Sequence, residues 1–245
     1  MNRMVTRKFM TVLSGRVWVV GMLFMAAIMM PGPGAQAASD AQDARQLVEK
    51  ARLSFDHFVA AKEMSSFRNL LRQAKGVFIS PQVLKGAFIF GVSGGSGVFL
   101  ARDKKTGEWA GPAFYTIGEV SFGLQVGAEA SEVVFLALSE RGVLALLSDN
   151  VKLGADIGLA IGPVGVGAEA STAALSADII SFSLSKGLYG GISLEGAVVA
   201  TRDDWNTAYY NTRGLRAPDI LIKKSVKSQH ASGLIDAVAR AAGGR

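Results

Sequence analysis

The chain has 245 residues, with 26 basic and 20 acidic side chains, a formal net charge of +6 and no cysteine. Lack of cysteine excludes disulfides, thiolate metal sites and acylation at an N-terminal cysteine. Four of the basic residues and none of the acids precede Ala38, so the rest of the chain is close to neutral at +2 and carries no global field for nucleic acid.

Residues 1–37 read as a cleavable export signal. Arg3, Arg7, Lys8 and Arg16 form a basic region, Val17 to Met30 is an uninterrupted apolar run, and Pro31-Gly32-Pro33-Gly34 breaks it. Ala35-Gln36-Ala37 then supplies a small-x-small cleavage pattern, which places the cut before Ala38. The rival reading, a membrane anchor, needs about 20 apolar residues and this run is shorter. The expected product is an exported soluble protein, periplasmic or secreted, long enough for one sizeable domain.

From Ala41 to Lys62 the spacing predicts an amphipathic helix, with Leu47, Val48, Ala51, Phe55 and Phe58 on one side and Asp43, Arg45, Glu49, Arg52 and Asp56 mostly on the other. A second short helix, capped by Ser65 or Ser66, carries Phe67, Leu70 and Leu71. From Gly76 the period becomes strand-like. In Gly86 to Arg102, the apolar runs AFIF and GVFLA flank Gly91, Gly94, Gly95 and Gly97, which predicts two strands joined by a glycine turn. VGAEAS occurs at Val126–Ser131 and again at Val166–Ser171, read as two similarly built strands of one sheet. Gly154, Gly158 and Gly162 are expected to let strands curve or pack closely. Ser139 to Leu147 reads as a helix within the strand region, Asp203 to Tyr210 as a short amphipathic helix, and Ser232 to Ala242 as another after the basic loop of Lys223, Lys224 and Lys227. Helices, then many strands, then short helices predict an α+β fold: a curled, predominantly antiparallel, glycine-rich sheet or partial barrel with N-terminal helices and short C-terminal helices.

Catalytic and metal chemistry find little support. Gly91-Val92-Ser93-Gly94-Gly95 matches the G-x-S-x-G nucleophile elbow, but that turn leads from a strand into a helix, and here a second strand follows. The two histidines, His57 and His230, lie far apart in sequence, and no carboxylate spacing suits calcium. No catalytic residue, metal ligand or cofactor is therefore assigned. Asp203 and Asp204 read as helix-capping acids, and Glu129, Glu169 and Glu195 as outward-facing strand residues. Basic clusters remain. Arg68, Arg72 and Lys75 share a helix face, Lys85 belongs to the next strand, and Arg102, Lys104 and Lys105 cluster at the following turn. If they converge they make a patch for lipid phosphates, each cation contributing about 1 kcal/mol near an anionic surface. Helix-end and turn lysines are also ordinary solvated positions, and the sequence leaves both open.

Lys75-Gly76, GAFIFG, SGGSG and LAR, followed by Phe122-Gly123, Gly162-Pro163-Val164-Gly165, Ser185-Lys186-Gly187-Leu188, Ser193-Leu194-Glu195-Gly196 and Tyr209-Tyr210, resemble the SYLF lipid-binding domain in order and content. The likeness covers roughly residues 40 to 215, which implies a SYLF-like domain over 38–215 with 216–245 as a basic loop and short helix packed on it or trailing it. Members of that family bind phosphoinositides, and yeast relatives bind actin. The resemblance implies a non-catalytic domain of the bacterial cell envelope that binds anionic phospholipid through the N-terminal helical region with Arg68, Arg72 and Lys75, assisted by Lys85. A structural or protein-interaction module without lipid specificity is the alternative.

Overall fold

A computed structural model describes residues 33–87, 90–122, 127–165, 176–185, 188–190 and 194–243. The chain divides into two units, Met1–Ser39 and Asp40–Arg245. The basic and apolar segments assigned to the export signal, residues 1–32, lie outside the described residues, as does the second VGAEAS copy.

Helix α1 (Pro33–Ala60) leads through a 3-10 turn (Lys62–Met64) into α2 (Ser65–Leu71). Four long strands follow: β1 (Gly76–Ala87), β2 (Phe90–Arg102), β3 (Trp109–Phe122) and β4 (Gly127–Ala137). Helix α3 (Glu140–Leu147) precedes the short strands β5 (Asn150–Lys152) and β6 (Leu159–Ile161), then β7 (Ile179–Ser185), β8 (Leu188–Gly190) and β9 (Val198–Thr201). The chain ends in α4 (Asp203–Tyr210), α5 (Ala217–Leu221) and α6 (Ser232–Ala241). All nine strands join one sheet in the order β5-β9-β3-β2-β1-β4-β7-β6, with β8 beside β7. Every pairing is antiparallel except β6 with β7.

The connectivity forces the curl. The border strands β5 and β6 are joined by only Leu153–Gly158, which reaches at most roughly 25 Å. Eight strands laid flat would hold those borders about 34 Å apart at ~4.8 Å per strand. The sheet therefore bends into a half-barrel, as the spaced glycines predict.

At one end of the long strands both faces of the sheet are covered, which is why Val77–Ile79, Val98–Ala101 and Val133–Ala137 are continuous apolar runs. On one face Val77, Ile79, Val98, Leu100, Phe114, Val134 and Leu136 meet α1, α2, α4 and α6. On the other, Phe78, Phe99, Tyr115, Val133 and Phe135 meet α3, β5 and α5. Tyr115 donates its hydroxyl to the Leu146 carbonyl at 2.6 Å, tying β3 to α3. Burial pushes its phenol strongly upward, so it stays protonated.

The structure departs from the sequence reading in several places. The glycine cluster is no turn: β2 runs unbroken through Gly91, Gly94, Gly95 and Gly97, and it pairs with β1 out to Ala87 and Gly91. The described pairing of the two strands ends at Ala87 and Gly91, and residues 88–89 lie outside the described residues. Glycine is required mid-strand for close approach. A Cβ on Gly97 would lie 2.4 Å from the Phe78 ring, and one on Gly95 would lie 2.3 Å from the Gln82 carbonyl oxygen. That carbonyl is thrust toward β2 by a bulge at Pro81, where β1 shifts register against both neighbours; proline has no N–H for the ladder and is tolerated at such a break. Secondly, α1 starts at Pro33 instead of Ala41. Of the other helices, α3, α4 and α6 fall where the spacing places them, Ser139 capping α3 by accepting the Gly142 amide at 2.9 Å. Ser65 and Ser66 do not cap α2; they donate to the carbonyls of Gly165 and Pro163.

Candidate functional site

The residues singled out for lipid contact are not one cluster. Arg68 is occupied structurally: its guanidinium donates to the carbonyls of Val59 and Ala61, at 3.1 and 2.5 Å, satisfying acceptors at the exposed end of α1. Arg72 is exposed, donates to the Asn69 side chain and receives the Arg102 guanidinium on its carbonyl at 3.2 Å. Lys75 is pinned by its backbone between strand ends, donating to Ala137 and accepting from Arg102, both at 2.8 Å, while its side chain is exposed. Lys85 is nine residues beyond Gly76 on β1, about 30 Å along the strand, where it sits opposite Ser93 and Glu129. It takes no part in the cluster around Lys75.

The fold instead brings Lys75 to the turn after β2. With Arg102, Lys104 and Lys105 it lines a cleft of about 710 Å³, to which α3 and the end of α5 contribute Glu140, Leu144 and Ile222. The ammonium groups of Lys75 and Lys104 reach Glu140 at 3.7 and 2.8 Å. Hydrogen bonding and charge from Lys104, with a smaller contribution from Lys75, hold the Glu140 carboxyl below the usual carboxylate range. Asp103 faces inward on the turn: it accepts the amides of Lys105 and Thr106 at 2.8 Å each and the ammonium of Lys224 at 2.7 Å. The Lys224 bond foremost, and then those amides, keep it fully ionised. The four cations of the cleft thus face two carboxylates, and Asp103 is already matched by Lys224.

The other face of α1 settles how that helix is used. Leu47, Val48, Ala51, Phe55 and Phe58 are buried against the sheet. Both histidines also serve α1: His57 reaches Glu132 on β4 at 3.3 Å, and His230 reaches Glu49 at 3.1 Å. Ser93, the serine of the G-x-S-x-G match, is buried within β2 between two paired strands, so the strand–turn–helix context of an elbow is not formed. Among the described residues no group of three or more His, Asp or Glu side chains could hold a metal ion. Glu129 accepts from the Ser185 hydroxyl, and Glu195 is exposed. Among the described residues no helix is long and apolar enough to cross a membrane.

Sequence reasoning found Lys75, Arg102, Lys104 and Lys105 but missed Glu140, Leu144 and Ile222, which also line the cleft. A signal existed for Leu144. In α3 the buried positions are Gly142, Val143, Leu146 and Leu147, a spacing that leaves Leu144 off the core-facing side. Ile222 could not be found, because the five-residue α5 has too little sequence for a period.

Comparison with known proteins adds a family. The family described as "Ysc84: Las17-binding protein actin regulator" matches residues 118–241. The human SH3 domain-containing YSC84-like protein 1 is 32% identical over 170 residues, 69% of this chain and 49% of that protein. The same-named protein of Xenopus laevis gives 32% over 170 residues, 69% of this chain and 50% of that one. Protein YSC84 of Saccharomyces cerevisiae is 36% identical over 146 residues, 58% of this chain and 31% of the yeast protein. The chain spans half or less of the length of these curated relatives.

Proposed function

Because the chain belongs to the Ysc84 (SYLF) family, we propose that it is a non-catalytic binding domain, exported behind its N-terminal leader into the cell envelope, that docks on anionic phospholipid head groups through the cleft around Lys75. One observation carries this reading: Lys75, which follows α2, meets Arg102, Lys104 and Lys105 of the turn after β2 on a single cleft, with Arg72 beside it. Such a cluster gives a local positive field on a nearly neutral protein, each cation contributing about 1 kcal/mol at an anionic surface. With its apolar side consumed by the sheet, α1 offers the membrane only its mixed-charge outer face. The first contact is therefore electrostatic.

Co-sedimentation of the chain beginning at Ala38 with phosphatidylcholine vesicles, with and without phosphatidylserine, tests the proposal. Arg72→Ala/Lys75→Ala/Lys104→Ala should lose retention on the anionic vesicles at low salt while keeping its melting temperature. Arg68 is left intact because its removal would loosen the end of α1. Equal retention of variant and parent, or retention of neither, would refute the reading. The second reading, a protein-interaction module, is favoured by the family's description as binding Las17 and regulating actin; a parent protein that ignores vesicles of every composition would support it.

A further inference from the structure

Resting on the anionic-membrane reading, we propose that Leu144 and Ile222 insert into the acyl region of the bilayer and anchor the protein after its lysines have met the head groups. Single exposed apolar residues are ordinary on protein surfaces and mean nothing alone. Here the two most exposed large apolar side chains among the described residues are Leu144 at 64% and Ile222 at 55%, and both line the same cleft. That cleft is also the one with the converging cations.

Neither side chain is spent on the core. Helix α3 buries Val143, Leu146 and Leu147 and turns Leu144 away; α5 buries Ile220 and Leu221 and leaves Ile222 at its C-terminal end. Glu140 and Leu144 are four residues apart, so they lie on one face of α3, one helical turn from each other. Lys75 and Lys104 both reach Glu140, which places ammonium groups about one turn from an exposed leucine. Cations at head-group level beside aliphatic groups free to go deeper is the arrangement that interfacial binding needs. Charge also argues against a second copy as occupant, since two such basic clefts would repel each other.

The proposal predicts how binding responds to salt. Screening weakens the lysine contacts, whereas aliphatic insertion survives it. Both described cores lie within residues 44–242, so the chain beginning at Ala38 contains every described core residue and serves for the experiment. Parent and Leu144→Ser/Ile222→Ser should both sediment with phosphatidylcholine–phosphatidylserine vesicles at about 0.05 M salt, the variant roughly tenfold more weakly. At about 0.5 M salt the parent should keep a residual retention that the variant lacks. Matching behaviour of variant and parent at both salts, or complete release of the parent by salt, would overturn the anchors while leaving the head-group reading in place. No parent retention even at low salt would overturn both. The chain has no cysteine, so Leu144→Cys accepts a single environment-sensitive fluorophore. Its emission should shift to the blue on anionic vesicles, and that of the same label at Leu53→Cys on α1 should not; equal shifts at the two positions, or none at 144, would also overturn the proposal.

Discussion

Gly94 and Gly95 are neighbours in the same strand, yet alanine should have opposite effects at the two. At Gly95 the new methyl would lie 2.3 Å from the Gln82 carbonyl oxygen and 3.2 Å from its carbon. Both are backbone atoms of the bulge around Pro81, so no side-chain rotation can relieve the clash. Moving the oxygen to a tolerable distance requires close to an ångström of backbone displacement in β1. Overpacking of this kind costs typically 1–3 kcal/mol, and a backbone obstacle places it at about 3 kcal/mol. For a domain of this size each kcal/mol corresponds to about 2–4 °C, so Gly95→Ala should melt roughly 6–12 °C below the parent. At Gly94 the nearest atom to the methyl would be the Ile117 oxygen at an ordinary 3.7 Å, and the position is exposed. Gly94→Ala should be neutral or stabilise by up to about 1 kcal/mol, through reduced freedom of the unfolded chain. Thermal unfolding followed by circular dichroism, with urea titration as a second probe, measures both. Equal melting temperatures for the two variants would refute the claim that these glycines serve close packing against the bulge.

Two further outcomes follow from charge placement. Glu140→Gln removes the carboxylate that competes with lipid phosphate for Lys75 and Lys104, so it should raise retention on anionic vesicles at low salt several-fold; stability should change by less than about 1 kcal/mol, because the ion pairs are exposed, and reduced retention would contradict the assignment. Asp178, largely buried, accepts from Arg141 and Ser139, and the Arg141 bond chiefly holds its pKa below the ordinary value of 3.8. A depressed folded pKa means stabilisation present above the unfolded value and lost as pH falls through the folded one, so the parent should lose melting temperature below about pH 4. Asp178→Asn should start less stable at pH 7 and show a smaller acid-induced loss; parallel pH profiles would contradict the role given to this ion pair.

Much of the fold was legible because its signals are local. The 3.6-residue spacing from Leu47 to Phe58 marks α1, Ser139 marks the start of α3, and the change of period at Gly76 marks the start of the sheet. The glycine cluster misled for a physical reason. Glycine marks a turn when it supplies positive φ, but Gly95 and Gly97 are needed for missing volume, which depends on Gln82 and Phe78 across the ladder. The site was half legible on the same grounds. Lys104 and Lys105 announce a turn by adjacency, whereas their meeting with Glu140, Leu144 and Ile222 depends on how the sheet brings β2, α3 and α5 together. Arg68 and Lys85 were plausible by charge; one is consumed by the end of α1, and the other is carried away by the length of β1.

The six-residue link from Leu153 to Gly158 gives the sheet a single clasp. Sheet borders are the places where foreign strands add on, and proteins guard them by shortness or cover. Here both border strands are three residues long, and both hang from the same clasp. One cut in that link would loosen both borders together, baring the flank of β9 and the part of β7 that β8 does not cover. A nick in this one short stretch of chain therefore touches both ends of the sheet at once.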